Sequence, residues 1–288
     1  MSKLLITGAF GLVGSNICKV LERDYPDIEI TKVKFDTFEN SYEDNLHKFD
    51  YVIYATGYGQ PQMFGKDKVL TIKCNTEGVW EAFDYLKPNG KFLFISSSEI
   101  YSGAPSPHKE TDIGMTTPQH TRACYIEGKR CGEAICMAYK EQGYDVKIAR
   151  LALAYGEGTK KGDTRVLNQL IEQALTKKEI HLLDDGSAVR TYGYVDDIVE
   201  MLLNVLFNGK DIVYNVGGIS KVSILDIANY IGSITKSKVI LGDKKLEGSP
   251  DSVQLDLSKY LNEFPITFTD FGIGIQKTVN YQKQLYER

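Results

Sequence analysis

Ile6-Thr7-Gly8-Ala9-Phe10-Gly11-Leu12-Val13-Gly14 is the stretch that decides the fold of this chain. Before it, Lys3–Thr7 is a short apolar run that meets a glycine, the pattern of a buried strand. After it, Ser15 to about Arg23 carries apolar residues at helical spacing (Ile17, Val20, Leu21). Gly8, Gly11 and Gly14 therefore lie between a strand and a helix. Glycine permits positive φ in a tight turn and removes side chains where backbone must approach a pyrophosphate. The helix N-terminus adds free N–H groups and a favourable dipole. A glycine triplet alone is weak evidence, but at this junction it predicts a dinucleotide site. An acidic residue about 20 positions further on commonly binds the adenosine ribose. Asp36 stands there, at the end of a predicted strand Glu29–Phe35, or else ends the next strand in order and touches adenine. NAD is the expected cofactor; Lys32 and Lys34 nearby suit a 2′-phosphate, so NADP stays open.

The same alternation continues along the chain. Tyr51–Ala55, Lys91–Ser96 and Val146–Leu151 read as buried strands, and Val69–Leu86 and Arg122–Glu141 as helices, the first ended by the turn P-N-G at Pro88–Gly90. Strands alternating with helices imply a parallel sheet covered on both faces. The second half differs. A glycine-rich loop, Gly156–Asp163, leads to a helix at Arg165–Thr176 and short pieces at Ile180–Leu183 and Arg190–Tyr194. Helices Val195–Phe207 and Ile224–Ile234 and a strand Ile212–Val216 follow. The expected class is α/β: a Rossmann-type doubly wound parallel sheet with a smaller C-terminal α/β substrate lobe. Residues 1–155 would form the dinucleotide-binding domain and also receive about 190–217. Residues 156–288 would form the smaller lobe, interleaved with the first.

Bulk properties exclude several functions. With 288 residues, 42% hydrophobic and 25% charged, the chain has material for a full core, and its net charge of −4 offers no basic field to nucleic acid or an anionic membrane. The opening M-S-K-L-L-I-T-G has neither the apolar length nor the cleavage site of a signal peptide, and no run approaches the roughly 18 apolar residues of a membrane span. Cys18, Cys74, Cys124, Cys131 and Cys136 are odd in number and form no C-x-x-C pair, which suits reduced thiols in a cytoplasm. His47, His108, His120 and His181 make no metal-ligand spacing, so no metal is expected.

Tyr125 and Lys129 form Y-x-x-x-K on the predicted helix Arg122–Glu141, one turn apart and facing the same way. Of the 18 tyrosines, this is the one followed by lysine at that spacing. A lysine ammonium beside a phenol stabilises the phenolate and is expected to bring its pKa toward neutral pH. Phe94–Tyr101, F-I-S-S-S-E-I-Y, is an apolar strand running into Ser96, Ser97 and Ser98 at its carboxyl end, where open parallel sheets bind ligands.

Taken together, T-G-A-F-G-L-V-G, F-I-S-S-S-E-I-Y and Y-I-E-G-K-R-C-G-E resemble, in order and spacing, the extended short-chain dehydrogenase/reductases of the NAD-dependent epimerase/dehydratase family. D-Y-V-I-Y-A, C-N-T-E-G around Asn75, R-T-Y-G-Y-V-D-D at Arg190–Asp197 and Y-N-V-G at Tyr214–Gly217 extend the resemblance over nearly the whole chain. The resemblance implies roles. Ser97, Tyr125 and Lys129 match the catalytic triad, with Tyr125 taking a proton from the hydroxyl at carbon 4 of a nucleotide-diphosphate sugar while hydride passes to the nicotinamide. Lys129 would also hold the nicotinamide ribose. Gly8, Phe10, Gly11 and Leu12 match the pyrophosphate loop, and Ala55 and Asn75 match residues lining the cofactor. Arg165 and Arg190 match positions contacting the nucleotide or diphosphate, for which a planar guanidinium is suited.

The resemblance also bears on the second step. Glu99, two residues after Ser97, is similar to the carbon-5 base of nucleotide-sugar dehydratases and to the glutamate of UDP-glucuronate decarboxylases. Ser98 before it matches decarboxylases and GDP-mannose dehydratases, and is expected on the substrate side. R-A-C-Y-I-E-G-K-R-C-G-E resembles the decarboxylases most. Two positions depart: Val253 stands where decarboxylases carry arginine ahead of L-D-L-S-K, and Leu153 where they carry asparagine. Loss of a carboxylate's partner argues against a glucuronate substrate. Dehydration or decarboxylation after carbon-4 oxidation is the expected reaction, with 4-epimerase and 4-ketoreductase as alternatives. A catalytically silent dinucleotide-binding protein is the alternative from another class. The family likeness also implies a homodimer through the helices Val69–Leu86 and Arg122–Glu141, whose Val79, Trp80, Ile135 and Met137 exceed one face's needs.

Overall fold

The computed structural model describes residues 1–34, 47–243 and 252–287. Asp36 lies outside the described residues. The chain opens with β1 (Ser2–Thr7), α1 (Leu12–Asp24), β2 (Ile28–Val33) and β3 (Phe49–Tyr54). Three helices follow, α2 (Pro61–Lys66), α3 (Lys68–Asn75) and α4 (Glu77–Asp84), then β4 (Leu86–Ser97). A single 3₁₀ turn at Ser98–Tyr101 leads through a long loop to α5 (Ala123–Glu141) and β5 (Asp145–Leu151).

Together with β9 (Val213–Val216), these strands form a six-stranded sheet ordered β2-β1-β3-β4-β5-β9, every neighbouring pair parallel. The strands are apolar runs because both faces are covered. On one face Leu4, Ile6, Ile53, Leu93 and Ala149 pack against α1 and α7 (Val195–Asn208). On the other, Leu5, Val52, Phe92 and Ile148 pack with Val79 and Phe83 of α4 and Cys136 of α5.

Most of the remaining elements cluster apart, while the helix Ser258–Glu263 packs on β9 with Tyr260 in the core of the six-stranded sheet. The remaining elements are β6 (Leu153–Tyr155), α6 (Val166–Lys177), β7 (Glu179–His181), β8 (Val189–Tyr194), β10 (Ser220–Ser223), α8 (Ile224–Thr235), β11 (Lys238–Ile240), β12 (Ser252–Val253), α9 (Ser258–Glu263) and α10 (Phe271–Tyr286). β8 is flanked by antiparallel β10 and parallel β12 and also pairs with β6. A core of its own joins Leu167, Leu170 and Ile171 of α6, Ile227 and Ile231 of α8, and Ile275 and Val279 of α10.

Three elements differ from the sequence expectation. The helix expected over Val69–Leu86 is two helices, because Thr76 leaves helical geometry at φ −125° and ψ −79°. The P-N-G run lies within the extended segment Leu86–Ser97, with Asn89 at φ +65° taking up the irregularity. The sixteen-residue α10 carries no apolar run to announce it; it is capped by Asp270, whose side chain accepts from the Ile273 N–H at 3.1 Å.

Candidate active site

The glycine loop is built by close approach. Gly8 sits at φ +67°, and a β-carbon there would lie 2.4 Å from the Ala55 carbonyl oxygen. One on Gly14 would lie 2.3 Å from the Gly8 carbonyl oxygen. Gly11 is different: its φ is −80°, and an added β-carbon would meet protein only at 3.4 Å. Its bareness is not required by the chain's own packing, and it faces open space together with the half-exposed Phe10. Leu12 is buried beneath the loop. Gly11 caps α1 without a side-chain bond, and the first turn holds no acidic residue, so its N–H groups are available to an anion.

Across the sheet edge, Ala55 follows β3 and Asn75 ends α3. Asn75 is fully buried; its amide donates to the Thr71 carbonyl at 2.8 Å, while its Oδ1 has no partner among the described residues. That oxygen lies 3.4 Å, and Lys129 Nζ 3.6 Å, from the point a β-carbon on Gly57 would occupy. A bare backbone, an orphaned acceptor and an ammonium thus surround one gap, which fits a polar cofactor. Lys32, a candidate for a 2′-phosphate, is instead paired with Glu22 at 2.5 Å.

Tyr125 and Lys129 sit on α5, and Ser97 ends β4. Close packing puts them together: a β-carbon on Gly132 would lie 2.6 Å from the Phe94 ring and 2.7 Å from the Asn75 carbonyl oxygen, so α5 rides directly on β4 and α3. The Ser97 hydroxyl hydrogen-bonds the Tyr125 phenol and also accepts the Glu99 N–H at 3.2 Å. Lys129 is 3% exposed; its Nζ donates to the Ile95 carbonyl at 2.8 Å and lies 4.7 Å from the Phe94 ring centre and 6.0 Å from that of Tyr125. Burial pushes the ammonium down to about 8, against the opposing charge of Glu133.

The phenol does not follow the sequence expectation. Burial pushes Tyr125 up to about 12; the Ser97 hydrogen bond opposes this, Glu99 adds to it, and Arg122 and Arg165 lower it. The Lys129 ammonium, held by the Ile95 carbonyl, stands 6.0 Å from the centre of the Tyr125 ring.

Glu99 lies in the 3₁₀ turn after β4, a quarter exposed, with its Oε1 2.6 Å from Nη2 of Arg122. Burial raises its carboxyl, and Arg122, His120 and Arg190 oppose that rise. Ser98, beside it, is half-buried. Arg165 caps α6 and is forked on Asp163, with Nη2 to Oδ2 at 2.6 Å and Nε to Oδ1 at 3.0 Å. Burial pushes Asp163 up, but the bonds and charge of Arg165 outweigh it and leave the carboxyl low. Arg190 on β8 donates to the Val189 carbonyl at 2.8 Å and is paired in register with Val253 of β12. The structure therefore gathers Ser97, Glu99, Tyr125, Lys129, Arg165 and Arg190 at the carboxyl edge of β4. Sequence reading missed Arg122, Asp163 and Glu133. Arg122 and Glu133 did carry a signal: they stand three residues before Tyr125 and four after Lys129, on the same helical face. Among the described residues no group of three or more His, Cys, Asp or Glu could hold a metal ion.

A parallel sheet with a glycine-cradled helix N-terminus at one strand end, and Ser97, Tyr125 and Lys129 gathered at another, is an arrangement suited to a dinucleotide. The chain belongs to the NAD dependent epimerase/dehydratase family, matched over residues 4–217. NAD is the cofactor of that family, and the Gly8–Gly14 cradle and the Asn75–Gly57–Lys129 gap fit it. UDP-glucuronic acid decarboxylase 1 of Danio rerio is 29% identical over 257 residues, 82% of this chain; the chain spans 61% of that protein's length. The fold matches that of UDP-glucuronic acid 4-epimerase from Bacillus cereus, in complex with UDP-glucuronic acid and NAD. The TM-score is 0.86 at 23% identity, over 99% of this chain and 100% of that one. It also matches dTDP-glucose 4,6-dehydratase from Bacillus anthracis in complex with NAD, at TM-score 0.78 and 20% identity, over 100% and 98% of the two chains.

Proposed function

We propose that the chain is an NAD-dependent nucleotide-sugar epimerase/dehydratase that oxidises a nucleotide-diphosphate sugar at carbon 4 and then dehydrates or decarboxylates it. The observation that carries this reading is the Ser97–Tyr125 hydrogen bond with Lys129 buried one turn further along α5. When bound, oxidised NAD supplies a hydride acceptor that carries positive charge. Tyr125 takes the proton of the carbon-4 hydroxyl, which Ser97 holds. A phenol near 12 yields its proton at neutral pH only when cations act on it, and Lys129, Arg122 and Arg165 are the cations at hand. In the dehydration the carbon-4 ketone acidifies the proton at carbon 5, Glu99 removes it and the carbon-6 hydroxyl leaves as water; burial, by raising the Glu99 carboxyl, makes it a better base at neutral pH. In the decarboxylation the bond from carbon 5 to carbon 6 breaks instead, carbon dioxide leaves, and carbon 5 takes up a proton. Arg165 and Arg190 take the diphosphate and Ser98 the sugar.

Further assignments belong to the same reading. The division is a cofactor domain, 1–155 with about 190–217, and a substrate lobe, 156–288, supported by the separate core of α6, α8 and α10. A homodimer through α3, α4 and α5 is supported by Val69, Ile72, Trp80 and Met137, which are exposed there. Val79, expected on that face, is fully buried in the sheet core and contributes nothing to it. A cytoplasmic place agrees with five cysteines that form no disulfide; among the described residues no helix is long and apolar enough to cross a membrane.

One observation favours a second reading. Glu99 is held by Arg122, and a carboxylate kept there would leave 4-epimerisation or 4-ketoreduction as the outcome. The test is incubation with NAD and a panel of UDP-, GDP- and dTDP-sugars, uronic acids included, read by mass spectrometry. A product lighter by water or by carbon dioxide supports the first reading, and one of unchanged mass but altered configuration supports 4-epimerisation; 4-ketoreduction would show, with NADH and a 4-keto donor, as a product heavier by two hydrogens. No product from any donor, with NAD bound, would leave a silent dinucleotide-binding protein.

A further inference from the structure

Three consecutive residues at the carboxyl end of β4 each hold one residue of α5. The Ile95 carbonyl accepts from Lys129 Nζ at 2.8 Å, the Ser97 hydroxyl bonds the Tyr125 phenol, and the Ser96 hydroxyl donates to Glu133 Oε1 at 2.5 Å. Tyr125, Lys129 and Glu133 follow at steps of four and so line one face of the helix. Glu133 is 8% exposed, and a carboxylate so buried needs a cation. Arg150 of β5 supplies it, with Nη2 to Oε2 at 2.7 Å and Nε to Oε1 at 3.0 Å. Ser96 and Arg150 are register partners in the β4–β5 ladder, so one carboxylate clasps both strands. Arg150 is itself held by the Glu110 carbonyl at 2.7 Å and the Tyr101 hydroxyl at 2.9 Å. The proposed reaction uses neither Glu133 nor Arg150.

We propose that Glu133 is a positioning residue for the Tyr125–Lys129 pair, clasping their helix to β4 and β5 and setting a negative charge beside the Lys129 ammonium. The proposal rests on the roles of Tyr125 and Lys129 argued above. The groups around the ammonium are few. Against the downward effect of burial, Glu133 is the foremost support, followed by Cys136 on the same helix and Cys74 at the end of α3. Both thiols sit above their ordinary range, Cys74 at about 12 and Cys136 well up, and Tyr125 also stands at about 12. All three are neutral at neutral pH, so Glu133 carries the charge. Without it, Lys129 loses its proton at lower pH and ceases to be the cation that the phenol needs.

The test separates this role from the reaction itself. Lysine labelled with ¹³C at Cε, with the Lys129 signal assigned by its loss in Lys129→Met, reports the ammonium's titration with no substrate present. In Glu133→Gln the midpoint should fall by roughly one pH unit, whereas Glu133→Asp and Ser96→Ala should leave it within a few tenths. Should Glu133→Gln fail to fold around an unpaired Arg150, the double variant Glu133→Gln/Arg150→Met, which removes a cation with the anion, should still lower the midpoint, by about half as much, and a midpoint at or above that of the wild type would overturn the proposal. With any donor that the wild type turns over, kcat in Glu133→Gln should fall about tenfold with KM little changed, and Glu133→Asp should recover part of it. An unmoved Lys129 midpoint overturns the proposal, whatever the activity. A wild type inert toward every donor would sink the reaction reading and leave the titration to decide this one.

Discussion

The Arg122 guanidinium, at the start of the helix that carries Tyr125, meets the Glu99 carboxylate, just beyond the central strand, at 2.6 Å. Burial raises that carboxyl and Arg122 is the main force holding it down, so the pair sets how readily Glu99 takes a proton. Glu99→Gln should retain hydride transfer, seen as NADH absorbance, and stall afterwards. Solvent deuterium should enter carbon 5 with the wild type and far less with the variant. In Arg122→Met the Glu99 carboxyl rises further, so the acid limb of turnover should move to higher pH. Normal turnover by Glu99→Gln would remove the main support for dehydration.

Tyr125→Phe deletes the group that takes the carbon-4 proton while leaving the ring in place. Turnover should fall by at least about a hundredfold, as loss of a general acid–base group does. NAD affinity, measured by calorimetry, should change little. An active Tyr125→Phe protein would overturn the assignment.

Lys129 offers a prediction about stability that needs no substrate. Its folded-state pKa is pushed down to about 8 from an ordinary 10.5 by burial. Between those values the folded chain binds fewer protons than the unfolded one, so this residue's contribution to stability rises with pH through that window. The Tm of the wild type minus that of Lys129→Met should therefore grow between pH 7.5 and 10, by roughly 5 °C. A flat difference would mean that the ammonium is better solvated than its burial implies.

The three loop glycines should separate under substitution by alanine. Gly8→Ala puts a side chain at positive φ and against the Ala55 carbonyl, and Gly14→Ala drives one into Gly8. Each should cost at least about 1 kcal/mol in chemical denaturation. Gly11→Ala meets no such contact and should leave stability within about 0.5 kcal/mol while weakening NAD binding. Equal stability losses at all three positions would mean that Gly11 serves the fold and not a ligand.

Trp80 is 60% exposed on α4, edge-on to Tyr139 of α5, and with Cys131 and Ile135 it lines a groove of about 390 Å³. Trp80→Arg should convert a dimer in light scattering to a monomer with unchanged circular dichroism. A wild type that is already monomeric at micromolar concentration would rule the interface out.

Local patterning determined much of this protein. The apolar runs at Leu4–Thr7 and Phe92–Ile95 became buried strands because both faces of a parallel sheet are covered, and the strand–glycine–helix junction became a cradle because only glycine fits the Gly8 and Gly14 contacts. The Tyr125–Lys129 spacing needed only helical periodicity to be seen. Tertiary structure decided what sits between distant segments. Arg122 reaches Glu99 across 23 positions, and Arg150 and Ser96 reach Glu133 from two different strands. Which carbonyl takes the Lys129 ammonium, and therefore how far that charge acts on Tyr125, depends on how closely α5 lies on β4. Burial and pairing are properties of the packed chain: a residue's charge is written in the sequence, but its desolvation and its partners exist only once the strands and helices have met.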